Sequence, residues 1–133
     1  MSAYSGKEKR RYSRIPVEFS SEVTLFDRVN MSNSGVPRKS VIRNISAGGL
    51  ALEIDSPLEK ETVDSLCSRE LTMYVDIDLP ASAHSIRAMA EPAWVDSDGA
   101  APRDKDGVLL GVNFIDIADW DRSRIGRFVE GRV

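Results

Sequence analysis

The chain has 133 residues, of which 41% are hydrophobic and 29% charged, with a formal net charge of -3. This length and balance fit one globular domain with its own core and exclude a large multidomain enzyme. The single cysteine and single histidine exclude an internal disulfide and a zinc site built from three or four soft ligands.

Charge is distributed unevenly along the chain. The chain up to Arg43 contains nine Lys or Arg and four Asp or Glu. From Asn44 onward it contains nine Lys or Arg and seventeen Asp or Glu. This split favours a small anionic ligand or a localised contact over a surface coated for nucleic acid. No run approaches 18 apolar residues, and the polar, basic start carries no hydrophobic segment behind it, so we expect a cytoplasmic protein without membrane insertion.

Alternation of apolar and polar residues predicts about six strands. The alternating segments are 17–25, a short stretch at 41–43, 50–54, 71–79, 86–94 and 108–114. Turn-rich pieces such as 32–35 and 96–99 separate some of them. One apolar face per strand predicts an all-β fold, an antiparallel barrel or sandwich, rather than a parallel α/β sheet.

The chain ends in a predicted helix that begins near Asp119. Acidic residues come first and arginines later, while Ile125, Phe128 and Val129 are spaced three and four apart. This arrangement suits the helix dipole and one apolar face. Residues 57–66 fit either a single helical turn or a polar loop, and the pattern does not distinguish the two.

A dense basic segment lies at residues 7–16, where Arg10 and Arg14 are separated by three residues. Each guanidinium offers planar donors for phosphate or a guanine edge, together with a face for stacking, so the pair can converge on one ligand. A solvated basic tail explains the same run without any ligand.

A second motif, at residues 43–50, lies between two predicted strands. Asn44 and Ser46 carry donors and acceptors, and Gly49 lets the backbone approach a ligand closely. A hairpin turn closed by an Asn or Ser side chain explains these residues equally well.

In combination, Arg-x-x-x-Arg followed after about thirty residues by Asn-x-Ser-x-x-Gly resembles the signature of the PilZ domain family. Segments 14–17, 94–95 and 111–114 extend the resemblance over nearly the whole chain. The resemblance implies a six-stranded antiparallel β-barrel with a C-terminal helix.

The resemblance also implies a ligand, because most PilZ domains bind the bacterial second messenger cyclic di-GMP. Arg10 and Arg14 would meet a guanine edge and the phosphates, while Asn44 and Ser46 would hydrogen-bond the other guanine. Gly49 would leave the start of its strand without a side chain. Lys9 and Arg11, the two neighbours of Arg10, would add positive charge. The implied ligand-binding residues are Lys9, Arg10, Arg11, Arg14, Asn44, Ser46 and Gly49.

We predict one domain with two parts, a flexible basic ligand-binding arm at 1–14 and a barrel with its helix at 15–133. The arm carries five Lys or Arg and few apolar side chains, so we expect it to be mobile until ligand bridges it to the barrel. The predicted protein is a receptor or adaptor that changes conformation on binding and signals to an unidentified downstream protein.

No catalytic or metal-binding constellation stands out in the sequence. The acidic residues at 96–106 lack the twelve-residue EF-hand pattern, and His84 has no nucleophile or triad context. We therefore predict no enzymatic activity, no metal site and no cofactor besides the bound nucleotide.

Two other functions stay open on the sequence. A small barrel can bind nucleic acid, with residues 7–14 tracking phosphates, but the aromatic platform on a basic strand face is missing and this reading is disfavoured. A PilZ-like module can also bind no nucleotide and act by protein contact alone.

Overall fold

The computed structural model describes residues 14–33, 37–55, 58–80, 84–96 and 107–131, with only the backbone of 32 and 33. These ranges contain seven strands and two helices. The elements are β1 (Arg14–Asp27), β2 (Ser32–Asn33), β3 (Arg38–Ser46), β4 (Gly49–Ile54), α1 (Lys60–Cys67), β5 (Leu71–Ile77), β6 (Ile86–Asp96), β7 (Val108–Asp116) and α2 (Asp119–Glu130).

The strands form one antiparallel sheet in the order β2-β1-β3-β4-β7-β6-β5. The 14-residue strand β1 pairs with β3 along its first part and with β5 from Ser21 to Asp27, and this second pairing closes the sheet. The two-residue β2 only extends the hairpin tip of β1, so six of the described strands form the closed barrel. The predicted six-stranded antiparallel barrel with a C-terminal helix is confirmed.

The barrel interior is filled by the apolar face of each strand. Met73 and Val75 on β5 stand opposite Ala90 and Ala88 on β6, which pairs a larger with a smaller side chain at each step. Burial of each larger apolar side chain contributes about 1.5 to 3 kcal/mol. The largest fully buried side chains include Val23, Ile42, Leu52, Ile54, Met73, Ile77, Ile86 and Leu110.

Both helices pack on the barrel through apolar side chains. Residues 60–67, which the sequence left undecided, form α1, whose Leu66 is fully buried in the core. On α2, Ile125 and Val129 are buried, and Asp119 and Asp121 lie in the first turn as the helix dipole favours. Among the described residues, no helix is long and apolar enough to cross a membrane.

The hairpin tip after β1 is shaped by one side chain. Asp27 Oδ1 accepts hydrogen bonds from the backbone N–H groups of Val29, at 2.8 Å, and Asn30, at 3.1 Å. The backbone and side-chain hydrogen bonds from Asn30, with a further one from Val29, lower the pKa of Asp27 because they favour its charged form.

Gly126 lies inside α2, where glycine costs about 0.5 to 1 kcal/mol relative to alanine. An added Cβ would lie 4.0 Å from the Cβ of Ala47, an ordinary van der Waals contact. We expect Gly126→Ala to raise the free energy of unfolding by about 0.5 to 1 kcal/mol, measured by urea titration. A lower free energy of unfolding would show that α2 has no room for the methyl group.

Candidate ligand-binding site on β1 and β3

Predicted site residues meet where β1 begins and β3 ends. The antiparallel register places Arg14 opposite Ser46, and Asn44 lies two residues before Ser46 on β3, opposite Pro16. Between them, Ile15 pairs with Ile45, and both are buried in the core. Because alternate residues of a strand share a face, Arg14, Asn44 and Ser46 stand on the opposite face from this core pair.

Three predicted residues, Lys9, Arg10 and Arg11, lie outside the described residues. Arg14 is the first residue of β1 and is exposed. The nearby Arg43 is paired, since its Nη2 lies 2.9 Å from Glu53 Oε1 and its Nη1 lies 3.4 Å from Glu18 Oε1. Two carboxylates therefore offset the charge of Arg43 beside the site.

Ser46 closes the turn between β3 and β4. Its Oγ accepts hydrogen bonds from the backbone N–H groups of Gly48, at 3.1 Å, and Gly49, at 3.2 Å, and donates to Gly49 O at 3.2 Å. The residue is only 4% exposed. Ser46 therefore shapes the turn, as the simpler reading of the motif predicted, and its hydroxyl is already engaged there.

Gly49 is held close to the neighbouring strand β7. A Cβ at this position would lie 2.1 Å from Val112 O and 3.1 Å from the Cα of Asn113. The same turn is anchored to β7 because Phe114 N donates to Gly48 O at 3.0 Å. Packing of β4 on β7 thus requires glycine here, independently of any ligand.

The side-chain oxygen of Asn44 is buried on this face without a hydrogen-bond donor among the described residues. The register between β3 and β4 shifts from Ile42 to Asn44, which places a bulge directly before the asparagine. Asn44 is half-buried, and its Oδ1 is inaccessible and accepts no hydrogen bond among the described residues. A buried acceptor without a donor costs about 1 to 3 kcal/mol, so a ligand N–H would stabilise this side chain if the amide rotates to turn Oδ1 outward.

The same face continues across two further strands to an aromatic side chain. Asn44 stands opposite Ala51, Ala51 opposite Gly111, and Gly111 opposite Trp94. A Cβ on Gly111 would lie 2.3 Å from Trp94 Nε1, so the indole lies over the glycine while Trp94 stays 45% exposed. In the sequence, Trp94 contributes only to the family resemblance. The glycine inside a predicted strand is the signal for this close approach.

Within the described ranges, no three histidine, cysteine or carboxylate side chains lie close enough to share a metal ion. The candidate site consists of four groups on one barrel face: the guanidinium of Arg14, the amide of Asn44, the turn closed by Ser46 and the indole of Trp94. Such groups bind a ligand that combines negative charge with flat, hydrogen-bonding rings.

Residues 8–131 match the family model for the PilZ domain, and the chain therefore belongs to the PilZ domain family. No curated protein sequence matches it.

Two solved structures share the fold at low sequence identity. The inhibitor of motility MotI/DgrA from Bacillus subtilis has a TM-score of 0.65 and 19% identity over 92% of this chain, which spans 50% of that chain. The PilZ domain of YcgR from Escherichia coli, in a structure with c-di-GMP, has a TM-score of 0.55 and 12% identity over 92% of this chain and 90% of that one.

The close approach at Gly49 predicts a cost for any side chain there. We expect Gly49→Ala to lower the free energy of unfolding by about 1 to 3 kcal/mol, because the methyl group forces β4 away from β7. Urea titration beside Gly126→Ala, which adds the same methyl group where there is room, checks the prediction. Unchanged stability of Gly49→Ala would show that the strand packing does not require glycine.

Proposed function

We propose that this chain is a cyclic di-GMP receptor that binds the nucleotide on the face formed by Arg14, Asn44 and the Ser46–Gly49 turn. The observation that carries the proposal is the register of β1 and β3, which brings Arg14 beside the asparagine and the turn in a PilZ domain. The PilZ domain of YcgR, which shares the fold, is seen with this ligand. The receptor acts by binding and protein contact rather than by catalysis.

The chemistry of the ligand matches the groups of this face. Cyclic di-GMP carries two phosphates and two guanines, and the planar donors of Arg14 suit either a phosphate or a guanine edge. Guanine also carries an amino donor, which can satisfy the unpartnered Oδ1 of Asn44 once the side chain rotates to expose this atom to the ligand. Ser46 and Gly49 contribute by holding the turn that places Asn44.

Residues outside the described ranges complete the proposed site. Arg10 would supply a second guanidinium, and Lys9 and Arg11 would add positive charge against the phosphates. At the other edge of the face, the exposed indole of Trp94 offers a flat surface on which a guanine can stack.

Calorimetric titration of the full chain with cyclic di-GMP, beside a single-stranded oligonucleotide at two salt concentrations, tests the function. We expect saturable binding of cyclic di-GMP and no tight binding of the oligonucleotide. Oligonucleotide binding that weakens steeply with salt would favour the nucleic-acid barrel. Binding of neither would leave a PilZ-like interaction module.

The proposed role of Arg14 depends on its planar guanidinium and not on charge alone. Loss of one charge-assisted pair costs about 1.5 to 3 kcal/mol, so we expect Arg14→Lys to weaken cyclic di-GMP binding by about tenfold or more. Arg28→Lys, on the hairpin tip, is the matched control and should bind as the parent does. If Arg14→Lys binds within about twofold of the parent, electrostatic attraction suffices and the bidentate or stacking role is wrong.

The proposed mechanism joins the basic segment to the barrel through the ligand. Two phosphates and two guanines can bridge residues 9–14 to Asn44 and so add contacts between this segment and the barrel. We expect cyclic di-GMP to slow amide hydrogen exchange at residues 5–16 clearly. Equal exchange with and without ligand would mean that this segment does not carry the response.

A further inference from the structure

Helix α2 touches the turn of the candidate site directly. Arg122 Nη1 donates a hydrogen bond to Ala47 O at 2.8 Å, and Ala47 is a buried member of the Ser46–Gly49 turn. One helical turn further along α2, Gly126 faces the Cβ of Ala47. The helix therefore contacts the turn through a charged hydrogen bond at Arg122, while at Gly126 it leaves room for a methyl group.

Further hydrogen bonds, within the turn and to β7, also hold the turn in place. Ser46 Oγ accepts from the N–H groups of Gly48 and Gly49, and Gly48 O accepts from Phe114 N on β7. Because these bonds link consecutive peptide groups, any change in the peptide orientation of the turn also moves Ala47 O, the acceptor that Arg122 contacts. The bond from Arg122 is charge-assisted, so it is sensitive to the position of Ala47 O.

The second half of α2 is attached mainly to the core of the barrel. Ile125 and Val129 are buried, and the ring of Phe128 packs edge-on against Phe19 at a centroid distance of 6.3 Å. Arg122 thus links the first half of α2 to the turn, while buried side chains hold the second half on the barrel. Trp120, in this first half, is 70% exposed.

We propose that Arg122 is a positioning residue that couples the ligand-binding turn to α2, so that nucleotide binding at the turn is transmitted to this helix. The inference rests on the proposed function and extends it, since it identifies an element outside the nucleotide-binding face that responds to the ligand. The coupling is reciprocal. If the ligand stabilises the hydrogen bond between Arg122 and the turn, then this hydrogen bond also strengthens ligand binding.

A second arginine of the same helix provides a matched control. Arg124 Nη2 donates to His84 O at 2.8 Å, and Arg124 Nη1 lies 3.0 Å from Asp121 Oδ1. Arg124 therefore also joins α2 to a backbone carbonyl, but to one before β6 and not to the turn. Loss of Arg124 should loosen the helix without removing its response to the ligand.

The experiment combines calorimetry with amide hydrogen exchange of residues 119–130 in the full chain, with and without cyclic di-GMP. In the parent, we expect the ligand to slow exchange in α2 by about threefold or more. Arg122→Met should still bind cyclic di-GMP, with its affinity reduced by about threefold. Amide exchange in α2 of this variant should be the same with and without the ligand. Arg122→Lys should keep part of the response, and Arg124→Met should keep all of it.

Each result separates the inference from the proposed function. If the parent binds cyclic di-GMP and exchange in α2 does not change, or if Arg122→Met responds as Arg124→Met does, the coupling is wrong and the receptor function stands. If the parent does not bind cyclic di-GMP, the receptor function fails and the coupling fails with it. Should Arg122→Met not fold, a full parental response in Arg122→Lys would overturn the coupling and a reduced one would support it.

Discussion

The fold and the candidate site both depend on the pairing of strand β1 with two neighbours. Its first part pairs with β3 and sets Arg14 opposite Ser46, and its second part pairs with β5 and closes the barrel. Around Ser21 to Val23 the strand pairs on both sides. A slip of one residue would turn Arg14 towards the core and Ile15 towards the outside, so barrel closure and site geometry are specified together.

Two of the motif residues serve the fold as well as the proposed ligand site. Ser46 closes the turn with its hydroxyl, and Gly49 permits a backbone approach that any Cβ would prevent. Substitutions at these positions change stability and the shape of the site at once. Arg14, which is exposed, and Asn44, whose Oδ1 has no hydrogen-bond donor among the described residues, are therefore the residues that report on binding chemistry.

The position of α2 brings a helix into contact with the turn of the candidate site. The helix is neither a loose terminal segment nor packed only through apolar side chains, because Arg122 contacts the turn while Ile125 and Val129 fill the core. A charged hydrogen bond depends on direction and distance, whereas apolar contact tolerates small shifts. This combination holds the helix on the barrel and joins its first half to the turn by one directional bond.

The sequence by itself determined the strands of the barrel, the C-terminal helix and the motif residues, because alternation, helical spacing and the Arg and Asn-x-Ser patterns are local properties of the chain. Only the tertiary structure decided that 60–67 is helical, since an eight-residue helix is marginal alone and buried Leu66 stabilises it. The same holds for the indole of Trp94 over Gly111, the close approach at Gly49 and the contact of Arg122 with Ala47. Each of these joins residues far apart in sequence, and their meeting depends on strand register and barrel closure, which no local pattern records.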